Sequence, residues 1–111
     1  MKIVLLLCLS FLILGCSNIV MSGAIVEAQN AFNMNKYNKA IENIDIAESF
    51  GDLSEANVVK LQYLRAQSLD ALGRQEEATL IYEYLVDQYP RSAYARSSLQ
   101  RLNAPRIFFK Y

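Results

Sequence analysis

The chain has 111 residues, of which 53% are hydrophobic, and its 11 basic and 11 acidic side chains cancel. This length allows one domain, the composition is too apolar for intrinsic disorder, and the balanced charge gives no basis for nonspecific nucleic-acid binding. The chain has no histidine, and its two cysteines are Cys8 and Cys16. A disulfide framework and a cysteine-rich zinc site are therefore excluded.

The N-terminal residues have the pattern of a secretion signal. Lys2 supplies positive charge, and residues 3–14 are apolar apart from Ser10. A helix of that length spans roughly 18 Å, which is too short for a hydrocarbon core of about 30 Å. The segment therefore predicts a secretory signal rather than a membrane-spanning helix.

The apolar run ends in Ile13-Leu14-Gly15-Cys16-Ser17, which resembles the lipobox of bacterial lipoproteins. The resemblance implies cleavage before Cys16 and acylation of its thiol and new amine, for example with palmitate, and several acyl chains make a stable anchor. Ser17 resembles an outer-membrane sorting signal, so we expect a chain anchored there and facing the periplasm. An ordinary signal peptide with a chance cysteine is the alternative. The predicted divisions are a signal peptide at 1–15, a lipidated tether at 16–21, a helical domain at 22–104 and a basic, apolar tail at 105–111.

The chain after the signal is predicted to be all-α. Alanine, leucine, glutamate, glutamine and arginine dominate it, and strand signals are weak. Gly51 and Gly73 predict helix ends, Ser54 and Ser92 predict N-caps, and Pro90 predicts a stop. The expected helices cover about 22–34, 37–50, 55–72, 75–89 and 92–103.

Two parts of this region repeat one pattern. Residues 35–40 align with residues 73–78, so that a turn residue is followed five positions later by alanine. The flanking helices align as well: Ala28 with Ala66, Ile44 with Tyr82, and Ala47 with Leu85. Small residues recur where helices approach closely, and we expect two stacked helical hairpins with the fifth helix as a cap.

The repeat resembles the tetratricopeptide pattern, most clearly at Ala66, Gly73, Ala78, Tyr82 and Pro90. Residues 89–95, Tyr-Pro-Arg-Ser-Ala-Tyr-Ala, are similar to a signature of tetratricopeptide proteins in bacterial envelopes. That group includes outer-membrane lipoproteins of the barrel-assembly machinery and periplasmic coordinators of the Tol-Pal system. The resemblance implies antiparallel hairpins stacked as a short solenoid of about two repeats plus a capping helix. An unrelated helical hairpin is the alternative.

The residue types offer little for catalysis. Without histidine or a free thiol there is no nucleophile–base pair, so we expect no enzymatic activity and no cofactor beyond the lipid on Cys16. Glu42, Asp45 and Glu48 recur every three residues and are interpreted as a solvated helix face. An enzyme would instead need carboxylates converging from separate helices on a bound metal.

The tetratricopeptide resemblance implies a concave groove lined by the first helix of each pair. Aromatic and amide side chains there suit an extended peptide or a partner helix, although inter-helix packing is the alternative for Phe32 and Tyr63. The groove positions are Ile25, Gln29, Phe32, Asn33, Lys36, Lys60, Tyr63, Gln67, Asp70, Tyr94, Ser98 and Arg101.

We therefore expect a noncatalytic scaffold or adaptor for a protein or peptide in the envelope, with no nucleic-acid partner and no small-molecule substrate. A pilotin-like assembly factor for a secretin and a glycan- or lipid-binding accessory to an envelope enzyme are the alternatives. Residues 91–111 carry five basic side chains and no acid, which suits anionic head groups, an acidic partner or simply a helix C-terminus. The tail is expected to fold back over the last helix, and waiting for a partner is the alternative.

Overall fold

The computed structural model of the chain describes the backbone of residues 2–104 and the side chains of Val4 and of residues 19–104. The described residues form only helices and turns, which confirms the all-α prediction. Each helix packs mainly against the next as an antiparallel neighbour, and α1 also contacts α3 as α3 contacts α5. The five helices are α1 (Lys2–Asn33), α2 (Tyr37–Ser49), α3 (Glu55–Ala71), α4 (Gln75–Gln88) and α5 (Ala93–Asn103).

The helix ends after α1 lie where turn and cap chemistry predicted them. Gly51 adopts φ 81° after α2. The Ser54 hydroxyl accepts the backbone N–H of Asn57 at 3.2 Å, and the Ser92 hydroxyl accepts the backbone N–H of Tyr94 at 3.1 Å. Each serine thereby satisfies an amide that has no partner inside its own helix.

The first helix begins at Lys2 rather than near residue 22. Leucine and isoleucine fill the leader, and no proline follows, so an unbroken helix continues into the domain. The backbone is therefore helical through residues 16–21, which were expected to form a tether. The division into leader, tether and domain concerns processing of the chain and stays a prediction.

The turns of the two hairpins are built alike. Asn35 adopts φ 61° between α1 and α2, and Gly73 adopts φ 80° between α3 and α4. In each turn the next backbone N–H donates to the carbonyl five residues earlier. Lys36 donates to Ala31 at 2.8 Å, and Arg74 donates to Leu69 at 2.9 Å. This is the hydrogen bond of a Schellman helix end, so Asn35 takes the place of the turn glycine. The two turns are 38 residues apart (35 to 73).

The described core has two clusters, one where α1 and α2 pack against α3 and one centred on the α3–α4 hairpin. Ala28 and Ala40 in the first hairpin and their equivalents Ala66 and Ala78 in the second are all fully buried, because the helices of each pair approach closely there. The first cluster contains Ala24, Ala28, Ile44, Ala47, Leu61 and Leu64, and the second contains Ala66, Leu69, Ala78 and Tyr82.

Candidate interaction surface

Two predicted groove residues, Tyr63 of α3 and Tyr94 of α5, lie together in an aromatic cluster. The ring of Tyr63 packs against that of Tyr94 at a centroid distance of 5.2 Å and edge-on against that of Tyr82 at 6.0 Å. Tyr63 also packs against the second core cluster. Its ring is therefore part of the contact between helices as well as part of the surface.

A salt bridge joins two more of the predicted groove residues, Asp70 and Arg101. The guanidinium of Arg101 donates to both carboxylate oxygens of Asp70, at 2.7 Å and 2.8 Å. Their side chains are only 17% and 16% exposed. Because the pair is bidentate and mostly shielded, each charge is largely satisfied by the other. These two residues therefore fasten α5 to α3.

Tyr82 completes this cluster, although the sequence placed it only in the hairpin core. Its hydroxyl donates to Asp70 at 3.0 Å, and Arg101 lies 5.4 Å from its ring centre. Burial raises the pKa of Tyr82 above its ordinary value, and the charge of Asp70 adds to the effect. Asp70 and Tyr82 come from different helices and are 12 residues apart, so helical periodicity within one element could not pair them.

Two predicted groove residues on α3 remain as surface. Lys60 and Gln67 are half-buried and share the face of α3 that carries Tyr63. On α5, Ser98 is fully buried and its hydroxyl donates to the carbonyl of Tyr94 at 2.7 Å, so it lies beneath this face. The accessible side chains of these predicted groove positions on α3 and α5 thus include an amine, an amide and tyrosine rings.

The groove residues predicted on α1 make contacts with residues of α1 and α2 and with the first core cluster. The Gln29 side chain donates to Asn33 at 3.0 Å, and the ring of Phe32 meets Tyr37 edge-on at 5.7 Å. Phe32 and Ile25 pack against the first core cluster, whereas Asn33 is exposed. Lys36 is exposed in the turn that follows.

Two of the three evenly spaced carboxylates on α2 pair with a single arginine. Arg65 on α3 contacts Asp45 and Glu48, each at 2.8 Å, while the Gln62 amide donates to Glu48 at 2.7 Å. Glu42 remains exposed. Among the described residues, no group of three metal-ligating side chains could hold an ion. The carboxylates therefore connect α2 to α3.

Two surface clefts lie away from the predicted groove. One, of about 450 Å³, lies between the start of α3 and the α4–α5 turn, and its lining includes Glu55, Tyr89 and Arg91. The other, of about 310 Å³, lies between α2 and α4. The sequence indicated neither cleft, because each is bordered by residues that lie far apart along the chain.

The basic end of the chain is only partly a free surface. Arg91 and Arg96 are exposed, but Arg101 is engaged with Asp70. Arg106 and Lys110 belong to the tail at 105–111, which lies outside the described residues together with its expected fold-back.

The predicted lipidation site lies within α1. The side chain of Cys16 is outside the described set. In the described part of the chain, no helix combines the length and the apolar content needed to cross a membrane.

Comparisons with known proteins identify no relative of this chain. No protein-family model, curated protein or solved structure matches this chain.

Proposed function

We propose that the chain is a lipid-anchored, tetratricopeptide-like adaptor of the bacterial envelope that holds a protein or peptide partner without catalysing a reaction. The lipobox at Cys16 supports the anchor, and the paired turns at Asn35 and Gly73 support stacking of like hairpins. The observation that carries the binding role is the face of α3 and α5. It presents tyrosine rings, an amide and an amine on a scaffold held rigid by the Asp70–Arg101 pair.

Such a face suits peptide recognition for a physical reason. Tyrosine rings offer large contact area at little entropic cost, and an amide such as that of Gln67 can satisfy the backbone groups of an extended segment. Because Asp70 and Arg101 satisfy each other, recognition depends on Lys60 and Gln67 more than on these two charges.

The anchor is tested by labelling cells with an alkyne analogue of palmitate. The unaltered chain and Cys8→Ser should incorporate the label, whereas Cys16→Ser should not, because only Cys16 follows the lipobox residues. Equal labelling of the Cys16→Ser chain would contradict the assigned attachment site. Absence of label from every chain would contradict lipidation itself.

The binding role is tested by photo-crosslinking in cells, with probes at positions 60 and 67 on α3. A matched control probe is placed at Ile46, which is 45% exposed on α2. We expect one protein to be captured repeatedly from positions 60 and 67 and not from 46. The same capture from all three positions, or none from 60 and 67 in a folded and anchored chain, would contradict a groove on this face.

A further inference from the structure

Comparison of equivalent positions in the two hairpins identifies a surface where α4 meets α5. In the first hairpin, one face of α2 carries Ile41, Asp45 and Glu48. Ile41 packs against the second core cluster, and the two carboxylates contact Arg65. The 38-residue shift between the turns places Thr79, Glu83 and Val86 on the equivalent face of α4.

The helices that follow each hairpin also align. With a shift of 34 residues, Leu61 and Leu64 of α3 fall on Ala95 and Ser98 of α5, and all four residues are buried. The same shift places Leu99 of α5 where α3 has Arg65. The position of the Arg65–Glu48 ion pair is therefore taken by Leu99 and Val86.

The two equivalent surfaces differ in whether a further helix lies beside them. The face of α2 is bordered by α4, since Ile41 packs against the cluster that contains Ala78, and Ile41, Arg65 and Ile81 line the same cleft. No helix among the described residues borders the α4–α5 surface in the way that α4 borders the face of α2. Leu99 is 46% exposed there, and Glu83 forms no hydrogen bond or ion pair with the described residues.

We propose that residues 105–111 of this chain occupy the surface formed by Thr79, Glu83 and Val86 of α4 and by Leu99 of α5. The segment follows Ala104 directly, at the end of α5. Seven extended residues reach about 23 Å. The 11 residues of α5 are about 16 Å long, so the segment can run back along the whole helix.

The chemistry of the segment matches this surface. Ile107, Phe108 and Phe109 can bury the exposed apolar area around Leu99. Arg106 and Lys110 bring positive charge to α4, which has four acidic side chains and no basic one. A second copy of the chain, a different protein and lipid are the competing occupants, and the experiment separates them.

The experiment uses the full-length anchored chain with a benzophenone side chain at position 108. We expect illumination to give mainly a product of monomer size, with the crosslink in the peptides that contain residues 79–86 or 96–99. The proposal would be overturned by a dimer-sized product, or by an adduct with another protein or with lipid in place of the intrachain product. It would also be overturned if no crosslink formed.

A charge reversal makes the test specific to the surface. Glu83→Lys should reduce the intrachain product about two- to fivefold, the effect expected for one exposed ion pair. Combining it with Lys110→Glu should restore the yield. The matched control is Glu42→Lys, since Glu42 is also exposed but lies on α2. Equal yields from the Glu83 and Glu42 variants, with unchanged helical circular dichroism, would overturn the assigned surface. The outcome does not depend on the adaptor role or on the lipid.

Discussion

The two hairpins share one turn geometry, but their core clusters differ in chemistry and the ion pairs at their contacts differ in how far they are shielded. The first core cluster, around Ala28 and Ile44, is made of small and aliphatic side chains that pack by shape. The second includes Tyr82, whose hydroxyl binds Asp70, and Asp70 in turn holds Arg101 of α5. Aliphatic packing tolerates different partners of similar volume, whereas this cluster requires particular groups at particular places. The first hairpin also meets α3 through ion pairs, but its carboxylates, Asp45 and Glu48, are 61% and 33% exposed, against 16% for Asp70. The second hairpin therefore has the better-shielded ion pair at its contact.

The largest effect is expected in the aliphatic cluster. Ile44 is fully buried, so Ile44→Ala should reduce the free energy of unfolding by about 2–5 kcal/mol through lost burial and the cavity left behind. The matched control is Ile46→Ala on the same helix, where the side chain is 45% exposed and the change should stay within about 0.5 kcal/mol. Denaturant unfolding of the detergent-solubilised full chain measures both, and equal losses would contradict the assigned core.

Removing one carboxylate charge should lower the free energy of unfolding more in the second hairpin than in the first. Asp70→Asn leaves Arg101 mostly shielded beside a neutral partner, and we expect a loss of about 2–3 kcal/mol in the free energy of unfolding. The comparison is Asp45→Asn, because the carboxylate of Asp45 is 61% exposed and its pair with Arg65 should contribute no more than about 1 kcal/mol. Equal losses would show that the second cluster is no more demanding than the α2–α3 contact.

The tyrosine of the second cluster should make stability depend on pH. Burial raises the pKa of Tyr82, so its contribution is complete below the ordinary tyrosine pKa of about 10 and is lost as the pH rises above that value. Above about pH 10, the unaltered chain should lose up to about 1.4 kcal/mol per pH unit relative to Tyr82→Phe. Unfolding of both chains between about pH 8 and 11 measures this difference, and parallel curves would refute the coupling.

The smallest effects are expected where the hairpins are most alike, at their turns. An alanine at Gly73 meets no atom within 4 Å, so Gly73→Ala should cost only the strain of a positive φ, about 1 kcal/mol. Asn35→Gly should change stability by only a few tenths of a kcal/mol, since asparagine already tolerates that conformation. A large loss for Asn35→Gly would show that its side chain, which accepts the Tyr37 hydroxyl at 2.9 Å, stabilises the turn.

The sequence predicted the elements from α2 to α5 well because their ends depend on local chemistry. A left-handed glycine such as Gly51 and a capping hydroxyl such as Ser54 act within a few residues of the helix end they control. The start of α1 was missed for the complementary reason. Residues 16–21 contain neither a proline nor a charge, so no helix-ending residue interrupts the backbone between the leader and the domain.

Sequence alone thus determined the all-α class, the helical hairpins and their repeated turn, because helix propensity, capping and backbone conformation are properties of short segments. Only the tertiary structure decided which candidate surface residues are available. Asp70 and Arg101 are 31 residues apart, and it is the packing of α5 against α3 and α4 that brings their charges into contact and away from solvent. Coulombic attraction and shielding depend on distance in space, which the order of residues along a helix does not specify.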